Sequence, residues 1–239
     1  SDVCSSALDN RNALSRELTA ELTAVLHAVR DDRSVRGITL RGKGGVFCAG
    51  GDLKGFKSNY QGGGQTVDDI AESSRQGGLM FDLINEMPQF VLILVEGAAM
   101  AGGLGMVCCA DAVGVTKDAK FAMTETAIGI PPAQIAPFVV QRLGLRTARR
   151  LMVTAHRFDG AAAGRLGPAD YVAADGAGLG LIHTDLQTPV MRSAPGATGA
   201  SKAARRAGGE YRSRLSSIPT TNNAMHQFSP EKHDSNVHL

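Results

Sequence analysis

Two glycine-rich turns constrain this chain more than any other feature of its sequence. Each follows a predicted buried strand and leads toward a helix: one spans residues 48–53 (CAGGDL) and the other residues 101–105 (AGGLG). Backbone N–H groups in such turns, and in the first turn of a helix, have no intrahelical acceptor. Two convergent donors of this kind would stabilise a developing oxyanion. Each turn taken alone is equally compatible with close packing of the backbone, which glycine also permits.

The apolar residues around these turns alternate between helical and strand-like spacing. The run Phe90–Val95 is typical of a strand that is covered on both faces. Ser15 or Asn12 is available to cap the first helix, and Pro88 ends the second. The predicted helices cover residues 14–30, 67–87 and two parts of 133–155 separated at Gly144, and the other predicted strands cover 35–40, 112–116 and 120–123. This order favours an α/β fold with parallel strand pairs and right-handed crossovers.

Composition excludes several functional classes. A chain of 239 residues, of which 43% are hydrophobic, can bury one large core or one core with a small satellite. With 25 Lys and Arg against 23 Asp and Glu, the charge is too balanced to indicate nucleic acid as a partner. The four cysteines show no C-x-x-C spacing and the histidines are scattered, so neither a metal site nor a disulfide framework is expected.

The chain shows no sequence signal for export or membrane insertion. Residues 1–10 lack the apolar core of a signal peptide, and no uninterrupted apolar run is long enough to cross a bilayer. We therefore expect a cytoplasmic protein with no membrane partner.

The character of the sequence changes near Pro189. Residues 194–209 consist mainly of Ala, Gly, Arg and Ser, and residues 213–239 are polar without a helical apolar stripe. The sequence therefore predicts a core at residues 1–188 and an atypical, weakly ordered C-terminal segment at residues 189–239.

Several ordered motifs resemble the crotonase (enoyl-CoA hydratase/isomerase) superfamily over roughly residues 10–190. They are FCAGGDLK at 47–54, VEGAAMAGG at 95–103, FAMTETAIGIP at 121–131, and the stretch from Leu151 to Gly167. The run IPPAQIAPF at 130–138 is most similar to the branch that hydrates isohexenylglutaconyl- and methylglutaconyl-CoA esters. The resemblance implies a crotonase-like spiral of ββα units, here with an incomplete or altered C-terminal helical region.

The resemblance also implies an active site. The N–H groups of Gly51 and Gly102 would hold the thioester oxygen of an acyl-CoA, and Glu125 would move the proton. From local composition alone, Glu125 could instead be a helix-capping or surface carboxylate. The implied substrate-binding residues are Ala13, Ala49, Asp52, Leu53, Lys54 and Gly103. Coenzyme A would enter as part of the substrate, and no separate cofactor is expected.

One position departs from the family pattern. Two-glutamate hydratases carry a second Glu three residues beyond the oxyanion glycine, where this chain has Gly105. A single glutamate is sufficient to shift a double bond, because one base can remove and return a proton. The 130–138 run nevertheless places a hydratase (a lyase) ahead of an isomerase, and a non-catalytic acyl-CoA-binding protein is the remaining alternative. The family implies a homotrimer or hexamer, which the altered tail is expected to impair together with activity.

Overall fold

A computed structural model describes residues 10–51 and 67–204 of the chain. The helices are α1 (Arg16–Arg30), α2 (Val67–Glu86), α3 (Gly102–Cys109), α4 (Ala136–Thr154), α5 (Gly160–Leu166) and α6 (Gly176–Arg192). The strands are β1 (Gly37–Arg41), β2 (Phe90–Val95), β3 (Ala98–Met100), β4 (Ala112–Thr116), β5 (Lys120–Ala122), β6 (Phe158–Asp159) and β7 (Tyr171–Ala173). Residues 195–204 are also helical.

Helices α1, α2 and α4 begin and end close to where the sequence predicts, whereas α5 and α6 are not among the predicted helices. Ser15, rather than Asn12, caps α1, because its side chain accepts a 3.2 Å hydrogen bond from the N–H of Leu18. Helix α2 ends two residues before Pro88, as predicted from the missing N–H of proline. Helix α4 is kinked at Gly144, whose φ of 73° and ψ of 155° are non-helical, so the predicted interruption is confirmed.

The larger sheet has four parallel strands in the order β1-β2-β4-β7. Its central strand β2 is buried at every residue after Phe90, which explains its continuous apolar sequence. Ile38 of β1 lies opposite Val91, and Leu92 lies opposite Ala112 of β4. With helices in the connections between these parallel strands, the predicted α/β class is confirmed.

A smaller sheet contains β3, β5 and β6. Strands β3 and β5 are parallel, with Met100 opposite Ala122, and β6 joins β5 in the antiparallel direction. A further parallel bridge pairs Cys48 with Ala99. The rings of Phe121 and Phe158 stack on this sheet with centroids 5.3 Å apart. The segment that ends at the first glycine turn therefore lies beside the segment that ends at the second.

Helical structure continues past residue 188, where the sequence predicts the end of the core. Helix α6 continues through residue 188 to Arg192, and residues 195–204 form a further helix. Pro189 does not end α6, although a proline inside a helix removes one backbone donor. Lys202 is 8% exposed and its Nζ donates to the backbone oxygen of Gln89 and to Asp111 Oδ2. This buried lysine attaches the helix to the core.

Candidate active site

Three segments of the chain leave parallel strands at the same edge. The N–H of Met100 donates to the oxygen of Cys48 at 3.0 Å, and the N–H of Ala101 donates to the oxygen of Ala122 at 2.8 Å. The carboxyl ends of parallel strands meet at one edge of a sheet, which is where α/β proteins place ligands. The topology therefore brings residues 49–51, 101–103 and 123–125 to one edge.

Gly51 lies at the exposed end of the first turn. The preceding residue, Gly50, has a φ of 100°, and its oxygen accepts a 2.8 Å hydrogen bond from the N–H of Leu14. A Cβ added at Gly51 would meet nothing within 4 Å. Gly51 is exposed, and no acceptor for its N–H is found in residues 10–51 and 67–204. Within these ranges, its backbone amide is not used by the fold.

Gly102 is the first residue of α3. The first hydrogen bond of this helix runs from the N–H of Gly105 to the oxygen of Ala101 at 3.1 Å, so the N–H of Gly102 precedes the helical ladder. Ala101 has a φ of 49° and a ψ of −118°, a conformation that L-residues rarely adopt. The strained residue directs the chain abruptly from β3 into α3. Backbone strain of this kind is concentrated at functional sites.

Glu125 follows β5 by three residues and precedes a single 3₁₀ turn at 126–128. Its backbone oxygen accepts hydrogen bonds from the N–H groups of Ile128 and Ile130, both at 3.0 Å. Its Oε2 is buried and has no hydrogen-bond partner among the described residues. Burial raises the pKa of the carboxyl, and a hydrogen bond from its own backbone N–H partly opposes this shift. An unpaired, half-buried carboxyl whose pKa is raised suits proton exchange better than helix capping.

The turn at residues 10–14 supports the first glycine turn. The N–H of Ala49 donates to the oxygen of Arg11 at 3.1 Å and the N–H of Leu14 donates to the oxygen of Gly50 at 2.8 Å, so the segments that contain Ala13 and Ala49 lie side by side. Asn12 has a φ of 55° and is 7% exposed. Its Nδ2 donates to the backbone oxygens of Lys43 at 2.9 Å and Val46 at 2.6 Å. Asn12 thereby fixes the turn that presents Ala13.

Gly103 has a packing role in addition to its position beside Gly102. A Cβ at Gly103 would lie 2.8 Å from Cys48 Cβ and 3.1 Å from the backbone oxygen of Cys48. Glycine at this position lets the two turns approach each other. The other predicted substrate-binding residues, Asp52, Leu53 and Lys54, lie outside the described residues.

Gly105 is surrounded by apolar side chains. A Cβ there would overlap Ile135 Cγ2, and would lie 2.9 Å from Ile135 Cβ and 3.1 Å from Phe81 Cε1. Ile135 and Phe81 are each 2% exposed. The space that a longer side chain at position 105 would occupy is therefore filled with carbon.

The protein-family model described as "Enoyl-CoA hydratase/isomerase" matches residues 1–236 of the chain. The chain belongs to this family. The crotonase-like fold predicted from the glycine motifs is thus confirmed.

Relatives of this family member include proteins named as hydratases. It is 29% identical over 187 residues to "Enoyl-CoA hydratase ACTT6" of Alternaria alternata, a match that covers 78% of this chain and 60% of that protein. It is 29% identical over 164 residues to "Methylglutaconyl-CoA hydratase, mitochondrial" of Mus musculus, covering 68% of this chain and 50% of that protein. The chain spans less than two thirds of the length of each.

Solved structures resemble this family member over a larger share of both chains. "Pseudomonas aeruginosa AtuE" is 39% identical with a TM-score of 0.79, and the match covers 89% of this chain and 86% of that one. An enoyl-CoA hydratase/isomerase from Marinobacter aquaeolei is 36% identical with a TM-score of 0.78 and the same coverage.

Three positions near the candidate site had no role in it predicted from the sequence: Asn12, Phe81 and Ile135, the last of which lies within the 130–138 motif. Asn12 was a candidate helix cap, and its occurrence between Arg11 and Ala13 gives no sign of the two long-range hydrogen bonds. Phe81 and Ile135 belong to apolar patterns typical of any core. Only the packing against Gly105 distinguishes them.

The described cysteine thiols are unsuited to nucleophilic chemistry. Burial raises the pKa of Cys48 to about 11 and that of Cys108 to about 12, so both remain neutral thiols near neutral pH. Residues 10–51 and 67–204 contain no cluster of side chains that could hold a metal ion. In the same ranges no helix combines the length and the apolar character that crossing a bilayer requires.

Proposed function

We propose that this family member acts on enoyl-CoA thioesters, and that Glu125 is the single acid–base group of the reaction. The observation that carries the proposal is the buried Oε2 of Glu125, which has no partner in residues 10–51 and 67–204, at the edge where the backbone amides of Gly51 and Gly102 also lie. The raised pKa of Glu125 allows it to accept and return a proton near neutral pH. The family and its hydratase-named relatives support this substrate class.

The amides of Gly51 and Gly102 hold the thioester oxygen in this proposal. As negative charge develops on that oxygen, the two N–H groups stabilise it, and removal of one such donor from a working site costs about 3–4 kcal/mol. The polarised thioester makes the α-carbon acidic and the β-carbon of an enoyl group electrophilic. Backbone near Ala13 and Ala49, together with Asp52, Leu53, Lys54 and Gly103, would bind the CoA portion.

Hydration is the leading reaction, because it is the activity named for several relatives. The oxygen of water bonds to the β-carbon, and one proton of that water passes to the Glu125 carboxylate. The π electrons of the double bond move toward the thioester oxygen and form an enolate. Glu125 then returns the proton to the α-carbon, so that H and OH have been added across the double bond.

Double-bond isomerisation is the second candidate, and the apolar filling beside Gly105 favours it. Here Glu125 removes a proton from the α-carbon of a 3-enoyl thioester. The double bond moves into conjugation with the carbonyl, and Glu125 delivers the proton to the γ-carbon. No water is consumed in this reaction, so no side chain has to orient a water molecule.

The test replaces Glu125 with Gln and measures both turnover and CoA-ester binding. Loss of a general acid–base typically lowers the rate by about 10²–10⁴-fold, while binding should persist because the amides and the CoA contacts remain. Glu21→Gln, an exposed position on α1, is the matched control and should retain the wild-type rate. If the wild-type chain binds acyl-CoA but never exchanges an α-proton, the chain is a binding protein and not an enzyme.

Hydration and isomerisation are separated by the absorbance of the conjugated thioester. Supplied with a 2-enoyl-CoA, a hydratase removes this absorbance. Supplied with a 3-enoyl-CoA, an isomerase generates it.

A further inference from the structure

One side of the first turn of α3 is covered entirely by carbon. Gly102 and Gly105 lie three residues apart and therefore share a helix face. A Cβ at Gly102 would meet Leu14 Cδ1 at 2.6 Å and Phe81 Cζ at 3.4 Å, and a Cβ at Gly105 would meet Phe81 Cε1 and Ile135. Leu14, Phe81 and Ile135 thus form an apolar wall one helical turn from the amide of Gly102.

Such a wall does not hold a water molecule. A bound water in a protein interior needs two to four polar partners. The wall offers none, and Ile135 and Phe81 are both almost fully buried. Glu125, the titratable side chain of the proposed site, has its own Oε2 unpaired within the described residues. Among those residues, the group that the proposed site offers to orient a reacting water is Glu125.

We infer that Ile135 determines how the bound substrate partitions between addition of water and simple return of the proton. This inference rests on the proposed function. Ile135 is the residue whose side chain fills the space beside Gly105, and it does so from the N-terminal end of α4, where it precedes Ala136. By keeping that space apolar it slows hydration relative to proton exchange at the α-carbon. It is a specificity-determining residue and takes no part in bond making.

The N-terminal position of Ile135 makes it suitable for a matched pair of variants. Val and Thr have almost the same shape, but Thr carries a hydroxyl that can bind water. Thr is also accepted at the start of helices. Ile135→Val therefore controls for the lost methylene, and the comparison with Ile135→Thr isolates the hydroxyl. Ile135→Ala opens room without adding a polar group.

Two rates are measured for each variant. The first is the hydration of a 2-enoyl-CoA, followed by loss of the conjugated absorbance. The second is the exchange of the α-proton of a saturated acyl-CoA in D₂O, which reports Glu125 and the two amides without any addition of water. The ratio of the rates does not change if a variant only loses active protein, because both rates then fall together.

The ratio of hydration to exchange should be roughly three- to tenfold higher in Ile135→Thr than in Ile135→Val, the effect of one net hydrogen bond to the reacting water. If the Thr variant does not fold, as judged by circular dichroism, Ile135→Ser is compared with Ile135→Ala, a pair that differs by the same hydroxyl, and the ratio of the Ser variant should be the higher one.

Two other results have distinct meanings. Equal ratios in folded Thr and Val variants, or equal ratios in the Ser and Ala variants where Thr does not fold, would overturn the role of Ile135 and leave the proposed function intact. Absence of both exchange and hydration in the wild-type chain would instead remove the proposed function itself.

Discussion

Lys202 and Asp111, 91 positions apart, form an ion pair with 2.5 Å between Nζ and Oδ2. Both side chains are largely buried, with exposed fractions of 9% and 13%. Asp111 Oδ2 also accepts a 2.8 Å hydrogen bond from the N–H of Val91 at the start of β2. The pair therefore joins the helix at 195–204 to the end of α3 and to the central strand.

Replacing Lys202 with Met should destabilise the protein strongly. Removing one partner of a buried ion pair leaves the other charge uncompensated, which typically costs about 3–5 kcal/mol in the free energy of unfolding. Arg41→Met breaks the more exposed pair of Arg41 with Glu96 and should cost at most about 1 kcal/mol. Urea denaturation of both variants measures the difference. Equal costs would show that the Lys202 pair contributes no more than a surface pair.

Gly103→Ala should also destabilise the fold. The new methyl would lie 2.8 Å from Cys48 Cβ and 3.1 Å from a backbone oxygen that cannot move freely, and overpacking of this kind costs about 1–3 kcal/mol. Gly180→Ala is the matched control: it lies inside α6 with no atom within 4 Å of the added Cβ. It should stabilise the protein by roughly 0.5–1 kcal/mol, the helix preference of Ala over Gly. Thermal unfolding of the two variants gives opposite signs if this account is correct.

The sequence predicts the elements well because their signals are local. The buried run of β2, the cap at Ser15, the proline after α2 and the interruption at Gly144 each depend on neighbouring residues, and the structure confirms them. Glycine turns after strands likewise mark the edge where the candidate site lies.

Contacts between distant segments give no such local signal. Lys202 occurs in a run of small residues that shows no apolar periodicity, and its partners lie 91 and 113 positions away. The sequence around Ile135 is typical of an ordinary core residue. Only the structure shows that its side chain packs against Gly105, which has no Cβ. The helix at 195–204 has no local signal in the sequence for the same reason.

Asn12→Asp should weaken both the fold and the binding of CoA esters. Asp tolerates the positive φ of 55° about as well as Asn, but its carboxylate cannot donate to the oxygens of Lys43 and Val46. The two partly buried carbonyl oxygens would then face a negative charge instead of a donor, which should lower the free energy of unfolding by about 2–3 kcal/mol. Asn12→Gly keeps the backbone conformation without adding charge and separates the two effects. Titration with a CoA ester follows binding, and unchanged affinity in the Asp variant would show that this turn does not support the ligand.

Glu125 should make activity and stability respond to pH in opposite directions. Burial raises its pKa, so the carboxylate that accepts a proton is populated only above the ordinary glutamate range. The acid limb of kcat/KM in the wild type should therefore have its midpoint above the usual glutamate value of about 4.3. The exchange of the α-proton of a saturated acyl-CoA in D₂O, measured at a series of pH values from acid to neutral, locates this midpoint. A midpoint at or below the ordinary value would contradict the burial of the reacting carboxyl.

The sign for stability follows from the same shift. Because the pKa of Glu125 is higher in the folded than in the unfolded state, its favourable contribution is fully present below the unfolded pKa and is lost as the pH rises through the folded pKa. At neutral pH the buried carboxylate is a net cost, so Glu125→Gln should be more stable than the wild type there. This advantage should shrink as the pH is lowered toward the ordinary glutamate value, because the wild-type carboxyl then becomes neutral as well. Urea denaturation of both proteins at a series of pH values measures the difference, and a Gln variant that is less stable at neutral pH would mean that Glu125 has a stabilising partner when substrate is absent.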